Sequence, residues 1–459
     1  MNKEQYDLII RNGKIVNEDG VSNADIAVKD GKIVEITEKI SAEKKASKEI
    51  DAKGLHVLPG LIDAHVHFNE PGSRTEWEGL TTGSSSLAAG GITTFFDMPL
   101  NSNPELTNVE EFKKKKEVAD QKSIVDYGIL GGLVPENFAD LKGLKDCGVV
   151  AFKGFMCHSG IDAFHYFDDK TLMEGMEKIA EIDGILMLHA ESPEITTKLA
   201  ADCVKEGRVT VRDFVASRPV ISEIMAVEKA VALAEVTGCK VHIVHASSGE
   251  VVECVTRAKK RGVNISVETC GSYLALNIED FEEIGPLCKC CPPVREQKHV
   301  ESLWKAIENG EIDTIGSDHS PAPASLKEMG PGKNIFNTWG GISSAQSTLN
   351  VMLEEGYYKR NISLETITKV TSANPAKRFG LYPKKGTIAV GSDADFAIVD
   401  LNSSFTLKKD DLYYQHKHSP FVGKNFRGKV LYTILRGNTV FENNKVNTKA
   451  KGKMVIIGG

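Results

Sequence analysis

The sequence has no apolar stretch approaching the ~18–20 residues that a membrane span requires. It has no basic excess either. Its 56 Lys and Arg stand against 63 Asp and Glu, a formal charge of −7, whereas an electrostatic grip on nucleic acid needs a basic domain or stripe. The one basic run, Lys113 to Lys116, is flanked by Glu110, Glu111 and Glu117 and reads as a solvated helix face. Neither a membrane nor a nucleic acid is an expected partner. The start, MNKEQYDLII, lacks the charged-then-apolar pattern of a secretory leader. The nine cysteines are an odd number scattered along the chain, so reduced thiols in a cytoplasmic enzyme are the expectation. Cys288, Cys290 and Cys291 form a C-x-C-C cluster, but no second pair stands nearby at zinc-finger spacing. Gly90-Gly91 and Gly131-Gly132 suit turns or close packing; no GK[ST] follows them, which excludes a phosphate loop. Low-complexity segments and short repeats are absent too.

What is present is an ordinary globular composition, 41% hydrophobic and 26% charged over 459 residues. That length leaves room for two or three domains, or for one α/β barrel occupying more than half of it. YDLIIRNGKIVNEDG and ADIAVKDGKIVEI each set apolar runs around a Gly-containing turn, which is hairpin chemistry. The same texture returns in GTIAVGSDADFAIVDL (386–401) and VLYTILRGNTVFENN (430–444). A small β-sandwich assembled from both termini, residues 1–55 and 381–459, is expected around a middle of 56–380.

In that middle, short apolar strands alternate with amphipathic helical stretches. The strands are HVLPGLIDAHVHF, ITTFFDM, VDYGILGG, VVAFKGFM, ILMLHAE, KVHIVHAS, VNISVET and DTIGSD. Strict alternation implies a parallel sheet, and eight units imply closure into an α/β fold of the TIM-like (β/α)8 type. Such barrels do their chemistry at the C-terminal ends of the strands. His65 and His67 share a face of the first strand at i, i+2, Lys153 ends the fourth, His189 the fifth, His245 the sixth and Asp318 the eighth. A lone histidine at a strand end is usually a hydrogen-bonded structural residue. Four histidines, a lysine and an aspartate at one end of a barrel instead imply a metal site, with the N and O donors that suit Zn²⁺ and neighbouring divalent ions.

DAHVHFNEPG, FKGFM, LMLHAES, HIVHASS, CCPPVRE and GSDHSPAP occur in order over essentially the whole chain and resemble the cyclic amidohydrolases of the amidohydrolase superfamily. HFNEPGSRTEWEG, ASRPVISE, WGGISSAQ and YQHKHSPFVGKNFRGKV are similar to the allantoinase subgroup in particular. The resemblance implies two divalent ions per subunit, zinc first, with cobalt, manganese or nickel possible. His65 and His67 with Asp318 would take one ion, and His189 and His245 the other. Lys153, carboxylated by CO₂ to N6-carboxylysine, would bridge them together with a hydroxide. Asp318 would be the general base, and the reaction would open the hydantoin ring of allantoin to allantoate in purine catabolism. A homotetramer is implied on the same ground.

The pocket separates the subgroups. Dihydroorotases carry an Arg for the substrate carboxylate at the position of Asn69, and a neutral amide suits allantoin better. Asn69, Cys291 and Ser320 are the expected substrate contacts. Gly271-Ser272 and Ala322 depart from the pattern of relatives at positions that are not ligands. A hydantoinase, dihydropyrimidinase or dihydroorotase would share the mechanism, and a scaffold relative would lack ligands that are all filled here. His242, three before His245, is expected to point to the opposite side of its strand. His158 and His165 would line the mouth or be solvated, and His319 would support the site from behind.

Overall fold

The computed structural model describes residues 6–457; residues 1–5 and 458–459, the outer ends of the two terminal segments expected to form the sandwich, lie outside it. β1 (Tyr6–Asn17) pairs antiparallel with β2 (Gly20–Lys29), and β2 with β3 (Lys32–Thr37). The β2–β3 turn is Asp30-Gly31 with φ of 50° and 75°, the left-handed pair that matches the twist of a hairpin. β1 then forks. Its first half pairs in parallel with β4 (Ala46–Asp51) and its second half with β5 (His56–Pro59).

β5 receives β15 (Phe396–Thr406) from the far end of the chain, followed by β16 (Asn425–Leu435), β17 (Asn438–Glu442) and β18 (Lys445–Val446). The terminal segments thus make one nine-stranded sheet, ordered β18-β17-β16-β15-β5-β1-β2-β3 with β4 on the branch. It encloses a core of its own, in which Leu8, Ile10, Ile26 and Val57 meet Phe396, Ile398 and Ile434.

The barrel strands are β6 (Leu61–Val66), β7 (Ile92–Asp97), β8 and β9 (Asp126–Ile129, Gly131–Gly132), β10 (Phe152–Phe155), β11 (Ile185–His189), β12 (Lys240–Ile243), β13 (Ile265–Cys270) and β14 (Thr314–Gly316). β8 and β9 act as one strand that turns at Leu130, pairing β7 with its first part and β10 with its second. All neighbours are parallel, and the His67 N–H donates to His319 O at 2.8 Å to join the last strand to the first. Every residue of β6, β7 and β13 is buried, as strands covered on both faces must be. The helices turn one apolar stripe inward: Asp169–Glu181 buries Leu172, Gly175, Met176 and Ile179 and starts at Asp168, whose carboxylate accepts the Thr171 N–H at 2.8 Å.

Two features tie the sheet to the N-terminal end of the barrel. The C-terminal tail runs beside the start of β8: the Tyr127 N–H donates to Lys453 O and the Val455 N–H to Tyr127 O, at 3.0 and 2.8 Å. A Cβ at Gly452 would stand 1.8 Å from Val125 O. Gly452→Ala should therefore push the tail off β8 and cost about 1–3 kcal/mol, measured as a lowered unfolding midpoint; no change would show that the tail does not bear on stability.

The second tie is ionic. Lys385 Nζ lies 2.7 Å from Asp126, 2.6 Å from Asp395 and 3.3 Å from Asp393, all buried. Arg436 pairs with Asp126, and Lys32 with Asp393 at 2.7 Å. Three carboxylates face three cations, so this buried aspartate cluster is a neutral ion network rather than a cation site.

Candidate metal centre and substrate cavity

A cavity of about 390 Å³ opens at the C-terminal ends of the strands and is lined by His65, His67, Lys153, His189, His245 and Asp318 together. His245 and Asp318 leave their strands with φ of 44° and 46°, left-handed conformations that non-glycine residues adopt at a cost and that gather at functional sites. Asp318 Oδ1 lies 3.2 Å from His65 Nε2 and 3.3 Å from His67 Nε2. The His189 and His245 rings meet edge to face at 4.6 Å, and His245 lies 5.5 Å from His65. Lys153 Nζ sits over the Phe155 ring at 4.9 Å.

The backs of these imidazoles are held by carboxylates. Glu268 on β13, fully buried, approaches His65 Nδ1 at 2.8 Å and accepts the His245 N–H at 3.4 Å. Glu191, also fully buried, approaches His189 Nε2 at 2.8 Å and pairs with Arg218 at 2.5 Å. A neutral imidazole that donates one N–H to a carboxylate keeps the lone pair on the other nitrogen. His189 therefore offers Nδ1, and His65 offers Nε2 once an ion displaces the proton that Asp318 and Glu268 hold on it. His67 Nδ1 is buried without a hydrogen-bond partner.

Burial opposes charge on Glu268 and Glu191, but His65 and His242 beside the first, and Arg218 and His189 beside the second, hold each carboxyl down to about 2. Burial likewise opposes ionisation of Asp318, yet His65, His67 and His245 hold it well below the usual carboxylate range. His65 loses charge to burial and gains more from Asp318 and Glu268, which raise it to about 9. Burial keeps His67, His189 and His245 below their ordinary value, hence neutral near pH 7. Burial also pulls the Lys153 amine down to about 8, against the pull of Asp318 and Glu268.

This donor set fits divalent ions. Candidate ligand atoms of His65, His67 and Asp318 lie within 4.8 Å of one another. Both histidine Nε2 atoms converge on one carboxylate oxygen, and the outer nitrogens of His65 and His189 are already anchored. Such N/O donors in a buried, pre-oriented set suit borderline metals.

Of the expected substrate contacts, Cys291 and Ser320 line the cavity. Asn69 does not. It is buried at 1% exposure, φ is 62°, and neither amide atom finds a partner. Asn101, in the loop after β7, lines the cavity instead, and its buried Oδ1 has no hydrogen-bond partner. Gly271, Ser272 and Ala322 are buried and do not line the cavity. His158 lines the mouth, its Nδ1 accepting the Gly160 N–H at 3.0 Å, whereas His165 is exposed beside Glu136.

His242 corrects the strand-parity expectation. It lies inside the barrel, 2.7 Å from Ser266 and 3.8 Å from Glu268, because the chain leaves regular strand geometry before the left-handed His245. His319 faces away from the centre, packed on Tyr414 and 3.3 Å from Glu78. Among the described residues Cys288, Cys290 and Cys291 gather into no ligand set, and all nine cysteines are free.

Sequence reasoning missed Glu191, Arg218, Glu268, Asn101 and a wall built by two lysines. Lys289, pulled to about 8 by burial, donates to Phe336 O and Thr338 O at 3.2 and 2.5 Å. Lys327, pulled to about 7 by burial, donates to Trp339 O at 3.0 Å and to Gly341 O. Together they pin the segment 336–341 along one side of the cavity. The signal for Glu268 was available: the one charged residue in a strand buried along its whole length must have a partner.

The chain matches the Amidohydrolase family over residues 56–440. It is 45% identical to an allantoinase of Deinococcus radiodurans over 449 residues and 47% identical to one of Desulfitobacterium hafniense over 448, with 98% of each chain covered in both cases. Among solved structures it resembles the L-hydantoinase (dihydropyrimidinase) of Arthrobacter aurescens, with a TM-score of 0.93 and 36% identity over 96% of this chain and 97% of that one. It also resembles the dihydropyrimidinase of Brevibacillus agri NCHU1002, with a TM-score of 0.90 and 29% identity over 97% and 98%.

Proposed function

We propose, from the premise that this chain belongs to the amidohydrolase family, that it is a cyclic-amide hydrolase whose substrate is allantoin, opened to allantoate in purine catabolism. The observation that carries the substrate is the 45–47% identity to allantoinases over 98% of the chain. Among the described residues the one arginine on the cavity wall, Arg218, is engaged by Glu191, which leaves no free guanidinium there for a substrate carboxylate and supports this reading.

His65, His67 and Asp318 would hold one divalent ion and His189 and His245 the other, with Lys153 shared. Bound there, two such ions (zinc first, with cobalt, manganese or nickel able to substitute) supply an activated water near neutral pH and polarise a ring carbonyl. Lys153 becomes a ligand by adding its neutral amine to CO₂: a C–N bond forms, a proton leaves, and a carbamate carrying one negative charge remains. The depressed amine at about 8 keeps a usable neutral fraction at physiological pH.

Asp318, ionised and within reach of both His65 and His67, takes the proton from the attacking water. It returns that proton to the ring nitrogen as the ring C–N bond breaks, so one water is consumed per ring opened. Phe155, stacked on His189 at 4.9 Å, limits solvent on that side. A cytoplasmic homotetramer completes the proposal.

The test is kcat/KM on allantoin, dihydroorotate, dihydrouracil and a 5-substituted hydantoin, with protein reconstituted in divalent metal and bicarbonate. A preference for allantoin of tenfold or more is expected, about 1.4 kcal/mol in transition-state binding. The likeness to hydantoinase structures makes the hydantoin the competing outcome, and a preference for it would overturn the substrate while keeping the mechanism. Inactivity on all four, with less than one ion bound per chain, would favour a scaffold.

A further inference from the structure

The carboxylates behind the two halves of the centre are balanced differently. Glu268, behind His65, has only imidazoles beside it: His65 at 2.8 Å and His242 at 3.8 Å. Once an ion takes His65 Nε2 that ring is a neutral imidazole, so Glu268 then faces no permanent cation and keeps its negative charge. Glu191, behind His189, is bonded at 2.5 Å by Arg218, a permanent cation that also lines the cavity. The direct donors are unequal in the same sense. The His65 and His67 side has Asp318 at 3.2 and 3.3 Å. Behind the His189 and His245 pair, the carboxylate on an imidazole nitrogen is Glu191, already neutralised, while Glu268 meets only the backbone N–H of His245 at 3.4 Å.

A carboxylate on the outer nitrogen of an imidazole strengthens the inner nitrogen as a donor, and a cation paired with that carboxylate takes the effect back. In a buried site the charge of Arg218 is also felt directly, because little water screens it. We propose that Arg218 makes the centre unequal, so that the ion on the His189 and His245 side is held at least tenfold more weakly than its neighbour. This rests on the two-ion reading above. Arg218 acts here as a positioning residue, through Glu191, and not by touching the reacting atoms.

The experiment is a Zn²⁺ titration of metal-stripped protein in bicarbonate buffer against a chromophoric chelator. Wild-type protein should take two ions in steps at least tenfold apart. Arg218→Met should tighten the weaker step by about tenfold or more, within the 10–100-fold range typical of such outer partners, and Arg218→Lys should keep the wild-type separation. Glu191→Gln should weaken only the second step, and Glu268→Gln only the first. Should Arg218→Met fail to fold, Arg218→Gln removes the same charge and should tighten the weaker step in the same way. Equal steps in wild type, an unchanged ratio in folded Arg218→Met, or a second step weakened by Glu268→Gln would overturn the inference. Absence of any tight Zn²⁺ binding would instead overturn the two-ion reading itself.

Discussion

Lys153→Ala is expected to lose bound metal and activity together, with kcat/KM falling by well over the roughly 10–100-fold that loss of an outer partner costs. Lys153 comes from β10 and is 1% exposed among the imidazoles. Of the residues that line the centre, it is the one whose carboxylation would supply a carboxylate common to both ions. Alanine removes that group and leaves a space shaped for a short acid, so acetate or propionate should restore part of both quantities. Metal content per chain, measured beside turnover with and without the acid, decides it. Unchanged metal content would rule out a carbamate bridge.

The same lysine gives a pH dependence whose sign is fixed. Its amine titrates near 8 in the metal-free protein, and only the neutral amine adds CO₂. At a constant concentration of dissolved CO₂, reloading with metal should therefore be faster at pH 9 than at pH 6. Equal rates would mean that the amine is not the group being converted.

Lys385→Met should be the most costly substitution away from the cavity, about 3–5 kcal/mol, the usual result of breaking a buried ion pair from one side. Lys385 touches Asp126, Asp393 and Asp395, and its loss leaves Arg436 and Lys32 to face three buried carboxylates. Asp126 begins β8, so the network lies at the end of the barrel away from the site. Thermal unfolding should drop by many degrees while kcat/KM of the folded fraction holds. Adding Asp126→Asn should recover part of the loss, because it removes one of the stranded charges. A change below about 1 kcal/mol in the single variant would show that the aspartates take up protons instead.

Much of this was legible in the sequence. The barrel showed because strand and helix periods alternate without a break, and six polar residues stood out because each ends an apolar strand where apolar neighbours give it no reason to be. Glu191 and Glu268 did not stand out, since a glutamate acquires meaning only from the nitrogen it faces, and Arg218 comes from a loop about 30 residues away from the histidine it influences. Side-chain parity failed at His242 because β12 ends at Ile243 and the chain has turned left-handed by His245, and period-two counting holds only while the backbone stays extended. The two β-rich ends were readable as partners, whereas their merging into one forked sheet depends on the bulge between Ile10 and Gly13, which lets one strand serve two neighbours.

That forked sheet has a consequence during synthesis. β5 leaves the ribosome with β1 on one side, and its other neighbour, β15, is encoded roughly 340 residues later, on the order of 17–70 s at about 5–20 residues per second. Through that interval β5 offers an apolar strand edge, the kind of surface that recruits strands from other nascent chains. Only Gly60 separates it from β6, the strand that carries His65. A nascent chain captured at that edge would hold the first barrel strand out of its own barrel, and chaperone cover over β5 would matter most while the middle of the protein is being made.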